Sequence, residues 1–345
     1  MYEILISLCL MEDPGVCRQQ LLAGYETPSE QECLERKRNL DAAAIALDGS
    51  GYLASGAVCR LAPAGLPVQE IADGIYVHTG EVSEPGSANR GDIANLGFVV
   101  GERSIAVIDA GGSRAVGEAL YRAIRSVSSL PISHLVLTHV HPDHLFGASV
   151  FADAGAKVIG HPNLERALRD REEAYLLTFE AEVGRAGFLG TDTDFSVSVE
   201  SEIDLGGRVL ELMSWPVAHS TSDLTVWDAS TETFFAGDLV FDRHVPVLDG
   251  SLSGWLQALD RIVEIGPEKI VPGHGAPVMS TANAIAPVRT YLKQLEMDTR
   301  TALDDGKRMS DAVPVIGLSQ QSEWELFDVY NARNATVAYT ELEWE

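Results

Sequence analysis

The sequence predicts an α/β protein in which two β-sheets lie face to face with helices on their outer sides. Two observations carry that expectation. Short β-branched strands are followed by helices in two successive blocks, and elements that each bury one face pack most simply as layers. The chain of 345 residues, 46% apolar and 22% charged, is also long enough to bury the core of one large or two ordinary domains. A third observation sets the first residues apart: all four cysteines (Cys9, Cys17, Cys33, Cys59) lie there, and none follows.

Residues 1–62 read as a small cysteine-containing N-terminal domain. Tyr2–Leu10 is strand-like, and Ser29–Leu40 is a helix opened by Pro28-Ser29 with Glu32 three residues on, a capping-box pattern. Gly51–Arg60 is a second strand. Such a β-α-β unit has little core, so disulfides would do much of the stabilising. Four cysteines allow three pairings; Cys9–Cys59 between the strands and Cys17–Cys33 onto the helix is the expected one. An even, clustered set without CxxC spacing points to disulfides and hence to an oxidising compartment, with four free buried thiols as the alternative. Ile4–Met11 is too short and too acidic in its flanks to be a signal peptide. The expectation is a periplasmic or otherwise exported protein whose signal peptide is absent from this sequence.

Residues 63–67 read as a Pro/Gly linker, and 68–345 as a second, larger domain. Val68–Ile71 and Ile75–Thr79 flank the hairpin turn Asp73-Gly74. The polar loop Gly80–Ala94 follows, and then the strands Asn95–Val100 and Ser104–Ile108. Asp109 ends that pair, placed either to hydrogen-bond a metal-ligating histidine or to cap the helix Ser113–Ser126. Ile132–Thr138 is a buried strand, Leu145–Phe151 helical, Lys157–Gly160 a strand, and 163–186 mostly helical. Asp194–Glu200, Arg208–Trp215, Asp223–Trp227, Thr233–Gly237 and Lys269–Val271 read as strands. Ala282–Asp305, Ala312–Ile316 and Glu323–Asn334 read as helices, and the acidic end Glu341–Glu345 as solvated.

The chemistry concentrates in His139-Val140-His141-Pro142-Asp143-His144, on a strand-to-helix turn. In extended chain, side chains two apart point the same way, so His139 and His141 can converge on one ion. Asp143 and His144, where the chain turns into the helix, diverge from them and can serve a second ion. Imidazole and carboxylate suit zinc, and iron or manganese less selectively. Three isolated residues at strand ends or turns, His219, Asp238 and His274, supply a third imidazole for each ion and a carboxylate able to bridge. Glycine beside the last two lets backbone approach closely. His78, His134 and His161 read as structural.

The formal charge of −26 repels phosphate backbones and excludes nucleic acid as a partner. No stretch approaches the roughly 18 apolar residues of a membrane span.

THVHPDH (138–144), AHS around His219, AGD ending at Asp238 and PGHG around His274 resemble the metallo-β-lactamase superfamily across residues 68–345. The resemblance implies an αββα sandwich with a dinuclear metal cleft. It implies that His139, His141 and His219 hold the first metal, that Asp143, His144 and His274 hold the second, that Asp238 bridges both, and that Asp109 supports a ligand from behind. β-Lactamases of the common dizinc type carry Cys or Ser where Asp238 stands, so aspartate here resembles the glyoxalase II and lactonase branches. The N-terminal unit, GFVVGERSIAVIDAGGS and the ending WELFDVYNARNATVAYTELEWE look most like the quinoprotein relay system zinc metallohydrolases. That likeness implies a periplasmic quinoprotein or cytochrome partner.

The expected activity is therefore hydrolysis of an ester, thioester, lactone or amide by a hydroxide shared between two Zn2+ ions, with Asp143, Asp238 and His274 as catalytic residues. No Ser or Cys stands in a nucleophile-elbow context. Asn89, Arg90, Arg243 and His244 are candidates for the substrate rim, the arginines for a carboxylate. Two alternatives remain: a mononuclear iron oxidoreductase of the persulfide dioxygenase type, and a non-catalytic protein that binds or delivers a quinone cofactor.

Overall fold

A computed structural model describes residues 1–40 and 52–345. Strands β1 (Tyr2–Leu10), β2 (Cys17–Leu21) and β3 (Tyr52–Leu61) form a three-stranded sheet of order β2-β1-β3, with helix α1 (Glu30–Arg38) beside it. Both pairings are antiparallel, so the unit is a hairpin joined by a third strand rather than the β-α-β piece expected. β2 escapes a sequence reading because CRQQL is mostly polar; only its last residues are buried. Gly51, expected to open β3, lies outside the described residues.

The register also corrects the cysteine pairing. The β1–β2 hairpin puts Cys9 opposite Cys17, Cα atoms 4.1 Å apart, and they form one disulfide. Cys59 sits opposite Ile4, five residues from Cys9, and bonds instead to Cys33 on α1. Ser29 caps α1 through the Glu32 N–H, as the capping box requires.

The unit does not stand apart. Leu5, Leu21 and Ala23 join the same core as Leu120 and Ile124. Residues 62–68, without regular structure, run along the following helix: the Leu66 N–H donates to Ala119 O (3.0 Å), and Gly65 lies against the Ala119–Ala123 backbone where any Cβ would clash.

The first large sheet takes β4 (Gln69–Ala72), β5 (Ile75–His78), β6 (Leu96–Val100), β7 (Ile105–Ile108), β8 (Ile132–Val136) and β9 (Lys157–Ile159) in sequence order. Its outer face carries α2 (Arg114–Val127), α3 (Pro142–Leu145), α4 (Ala148–Asp153), α5 (Leu164–Val183) and α6 (Arg185–Phe188). The second sheet runs β10 (Glu202–Asp204), β11 (Val209–Ser214), β12 (Leu224–Asp228), β13 (Thr233–Phe241), β14 (Lys269–His274) and β15 (Met279–Ser280), also in order. Over it lie α7 (Leu252–Ile265), α8 (Thr281–Asp304), the short α9 (Met309–Ala312) and α10 (Phe327–Glu343).

Side-chain alternation explains the layers. Ile75, Val77, Val99, Ala106, Ile108 and Val136 face inward onto Leu210, Leu212, Val226 and Phe235 of the second sheet. Their neighbours Phe98, Ile105, Val107 and Leu135 face the helices. The αββα sandwich expected is the fold observed.

Several elements differ from the sequence expectation. Residues 194–200 make only an isolated bridge, Ile159 with Ser198. The helix after the hexapeptide breaks at Phe146-Gly147, where a Cβ on Gly147 would enter the Ala110 carbonyl. Ala312–Ile316 is mostly turn, with α9 just before it. α10 starts at Phe327 and runs to Glu343, into the acidic end, where Leu342 is buried while Glu343–Glu345 are exposed as expected. Glu341 accepts hydrogen bonds from the Leu252 N–H (2.6 Å) and the Ser251 hydroxyl (2.9 Å), closing the start of α7. α7 itself was not anticipated.

Candidate metal centre

The hexapeptide occupies the turn between β8 and α3, with His141 as N-cap, Pro142 at the first helical position, and Asp143 and His144 in the helix. His219 lies between β11 and β12, Asp238 in β13, and His274 at the end of β14. The two sheets are tied at this point. The Leu224 N–H donates to Thr138 O (2.7 Å), and Asn95 donates to Gly273 O (2.7 Å) and Pro272 O (2.9 Å). A Cβ at Gly273 would fall on the Asp238 carboxylate, and one at Gly237 would strike Thr138. The glycines flanking the second-sheet donors therefore serve close approach, as anticipated.

All seven expected donors meet. His139, His141, His219 and Asp238 form one group and Asp143, His144 and His274 another, with ligand atoms inside each group within 4.8 Å of one another. Asp238 joins them: Oδ2 lies 3.7 Å from His139 Nε2, 3.6 Å from His219 Nε2 and 3.4 Å from His274 Nε2, while Oδ1 lies 3.2 Å from His144 Nε2.

The far nitrogen of each imidazole is already committed, which fixes the tautomer. His144 Nδ1–H donates to Asp109 (2.8 Å), His219 Nδ1–H to Val247 O (2.6 Å) and His274 Nδ1–H to Ile93 O (2.8 Å). His139 Nδ1–H donates to the Thr138 hydroxyl (3.0 Å), which donates on to Asp109 (2.8 Å). His141 is turned the other way, its Nε2–H directed at Asp249 (3.2 Å). Asp109 thus supports ligands from behind; the alternative helix cap is supplied by Ser113 instead. Its left-handed backbone (φ 59°) aims the carboxylate back at Thr138 and His144, strain of the kind stored at functional sites.

What remains inside is a set of lone pairs facing one another. His141 Nδ1 is 3.0 Å from His139 Nε2 and 2.9 Å from His219 Nε2. His144 Nε2 and Asp238 Oδ1 are buried without any hydrogen-bond partner. Converging lone pairs repel unless a cation or proton stands among them, so the donor set fits divalent metal.

The electrostatics divide the same way. Burial, reinforced by neighbouring imidazoles, holds His139 far below its ordinary value and His219 at about 3, so both are neutral. Burial also opposes the charge on His144 and His274, but the Asp238 and Asp143 carboxylates outweigh it, raising His144 strongly and His274 to about 9. Asp143 is held down to about 2, burial being outweighed by His144 and His274.

Residues 89–274 match the Metallo-beta-lactamase superfamily. The chain belongs to that superfamily. A Bacillus subtilis (strain 168) relative, "Probable metallo-hydrolase YqjP", is 26% identical over 256 residues, covering 63% of this chain and 76% of its own. Among solved structures, the metallo-beta-lactamase from Pontibacter korlensis superposes with a TM-score of 0.53 at 19% identity, covering 66% of this chain and 99% of its own. DIM-1 metallo-beta-lactamase does so at 0.52 and 16%, over 66% and 97%. At these identities the structures attest the superfamily fold.

A cleft of about 440 Å³ opens onto the donors. Of the four expected rim residues only His244 lines it, buried, its ring centroid 5.0 Å from that of His274. Asn89 is spent inside its own loop, accepting from the Gly86 and Gly91 N–H groups. The Arg90 side chain lies at a different hollow, beside Arg18 and Arg60. Arg243 points outward to Glu325. The walls are instead Tyr175, Phe179, Val247 and Tyr330, with Glu84 and Glu182 among the polar residues. Asp249, which holds His141 and is itself held by Arg171 and Arg333, was also missed. It stands 108 residues from its histidine, and nothing in Leu248-Asp249-Gly250 marks it.

Proposed function

We propose that this metal-dependent hydrolase holds two divalent cations, zinc by preference, and cleaves an ester, thioester, lactone or amide bond of a small molecule. His139, His141 and His219 would hold the first ion, Asp143, His144 and His274 the second, with Asp238 between them. The observation that carries this reading is the convergence of two donor groups on one carboxylate while every imidazole's other nitrogen is occupied. Ions bound there supply a nucleophile from water near neutral pH and draw charge from a substrate carbonyl.

The chain's own residues prepare the site for that chemistry. Thr138, Asp109 and Asp249 hold three histidines in their ligating orientation. Burial keeps His139 and His219 unprotonated, so their lone pairs are free at neutral pH. Tyr175, Phe179 and Tyr330 give the cleft an aromatic wall against which the body of a substrate packs and excludes water.

Within the superfamily we place the chain in the quinoprotein relay branch, exported and working beside a periplasmic quinoprotein or cytochrome. The two disulfides of the N-terminal unit support export, since such bonds persist in oxidising compartments. Among the described residues no helix is long and apolar enough to cross a membrane.

The test is a panel of chromogenic ester, lactone, thioester and cephalosporin substrates on zinc-reconstituted protein, with metal content measured on the same samples. Turnover of one of the first three with zinc bound is expected, and His141→Ala should lose both hydrolysis and metal. Metal-replete His141→Ala with wild-type turnover, or a single iron per chain with no hydrolysis, would overturn the reading.

A further inference from the structure

Residues 245–249 run beside the metal centre without belonging to a helix or strand, so their backbone polar groups must find partners outside any ladder. Two of those partnerships reach the ligands. Val247 O accepts from His219 Nδ1–H (2.6 Å), and the Asp249 carboxylate accepts from His141 Nε2–H (3.2 Å). One irregular segment therefore aims two of the three imidazoles assigned to the first ion. The imidazoles of the second ion are aimed from elsewhere, His144 by Asp109 and His274 by Ile93 O.

The segment is held in turn by the C-terminal helix. Asn334 of α10, fully buried, accepts from the Leu248 N–H (2.8 Å) and donates to Pro246 O (2.6 Å), so one amide grips the residues on both sides of Val247. Pro246 O can only accept and the Leu248 N–H only donate, which fixes the way the amide is turned. Its second N–H donates to the Tyr291 hydroxyl of α8 (2.8 Å), which donates on to Asn331 (2.8 Å). Asn334 is thus saturated, and moving it would strand buried polar groups on the segment and on α8. Arg333 beside it binds Asp249, and Tyr330 one turn earlier lines the cleft; positions i, i+3 and i+4 share a helix face. Asn331, as deeply placed on the same helix, sends its amide to Ile316 O (2.9 Å) instead.

Resting on the two-metal reading above, we propose that Asn334 is a positioning residue for the first metal ion. By bracketing Val247 it sets the carbonyl and the carboxylate that aim His219 and His141, and it couples α10 to that position alone. Such a coupling runs both ways. An ion that needs the segment in place must, once bound, hold the segment against α10 more firmly.

The experiment withdraws zinc from Asn334→Ala and Asn331→Ala by chelator competition. The two variants are a matched pair: each removes a buried α10 amide bonded to Tyr291, and only the first touches the segment. In Asn334→Ala one of the two ions should bind about 10- to 100-fold more weakly and the other within about twofold of wild type. The weakened ion should be the one that Asp249→Ala also weakens, so the double variant should lose less than the product of the single losses. Asn331→Ala should keep both ions within about twofold of wild type, although its melting temperature falls. Equal weakening of both ions in Asn334→Ala, or equal losses from the two variants, would overturn the proposal, because a general fold defect acts on both positions. Amide exchange of the wild type needs no variant: on adding zinc, protection should rise in 245–250 and in α10 together. A rise confined to the segment would also overturn it. If the wild type holds a single ion, the two-metal reading fails, while weakening of that ion by Asn334→Ala and not by Asn331→Ala still upholds the role of Asn334. A wild type that binds no zinc overturns both.

Discussion

Two regions of this protein bury clusters of charge, and they treat it in opposite ways. At the junction with the N-terminal unit, Glu3 and Glu118 are buried with Arg122, and half-buried Arg18 and exposed Arg60 reach in to them. Glu3 takes Arg60 (2.8 Å) and Arg122 (2.7 Å), and Glu118 takes Arg18 (2.7 Å) and the Leu21 N–H (3.1 Å). The carboxylates there are filled by the chain itself. At the centre between the sheets, five imidazoles surround Asp238 and Asp143, yet His144 Nε2 and Asp238 Oδ1 make no hydrogen bond and three other ring nitrogens face each other. Buried charge costs several kcal/mol per ion unless it is paired. A cluster that satisfies itself is a fastening, and one whose donors converge unsatisfied has the chemistry of a ligand site. The contrast assigns the junction to stability and the centre to chemistry.

One of the two largest expected effects tests the first half of that contrast. Glu3→Ala strands the buried Arg122 and should cost about 3 kcal/mol, measured by denaturant unfolding, while zinc content under native conditions stays at the wild-type level. Loss of metal in that variant would break the division. Next come the disulfides. By the loop-entropy relation, removing Cys33–Cys59, with its sequence separation of 26, should cost about 3.5 kcal/mol, and removing Cys9–Cys17, with a separation of 8, about 2.5 kcal/mol. Equal losses from the two paired-serine variants in the same unfolding assay would argue against this order. A smaller effect is expected from Asp249→Ala, which frees His141 to rotate. Zinc affinity should fall about 10- to 100-fold by chelator competition, and unchanged affinity would show that Asp249 serves only Arg171 and Arg333.

The smallest is a pH effect at His78, which joins the linker at Pro67 O (2.8 Å) to the cleft loop at Asp92 (2.8 Å). Burial lowers this imidazole, but the bonds to Asp92 and Pro67 outweigh it and raise the folded value above the ordinary one. The folded state then holds the proton more tightly. Its stabilisation is complete below the unfolded value near 6.5 and is lost as pH rises through the folded value. Melting temperature should decline across that window in the wild type and less so in His78→Gln; parallel pH profiles would exclude the tie.

The hexapeptide was legible because its donors are contiguous and their geometry follows from strand periodicity and a helix start. His219, Asp238 and His274 were legible through the turns and glycines beside them, whose steric role at Gly237 and Gly273 the fold bears out. Asp249 was not, since a carboxylate brought in from 108 residues away leaves no local signature. The cleft loop misled because its polar residues, Asn89 above all, are consumed in folding the loop on itself. The hairpin strand β2 was hidden by its polar composition. α7 was within reach: Leu252, Trp255, Leu256, Leu259 and Ile262 recur at helical spacing behind the cap Ser251.

The central claim is that Asp238 is the one carboxylate joining two metal positions. Its most direct test is the number of zinc ions retained per chain by wild type and by Asp238→Ala after dialysis against trace metal. Two in the wild type and no more than one in the variant is the predicted result. A wild type that holds a single ion, or a variant that still holds two, would contradict it.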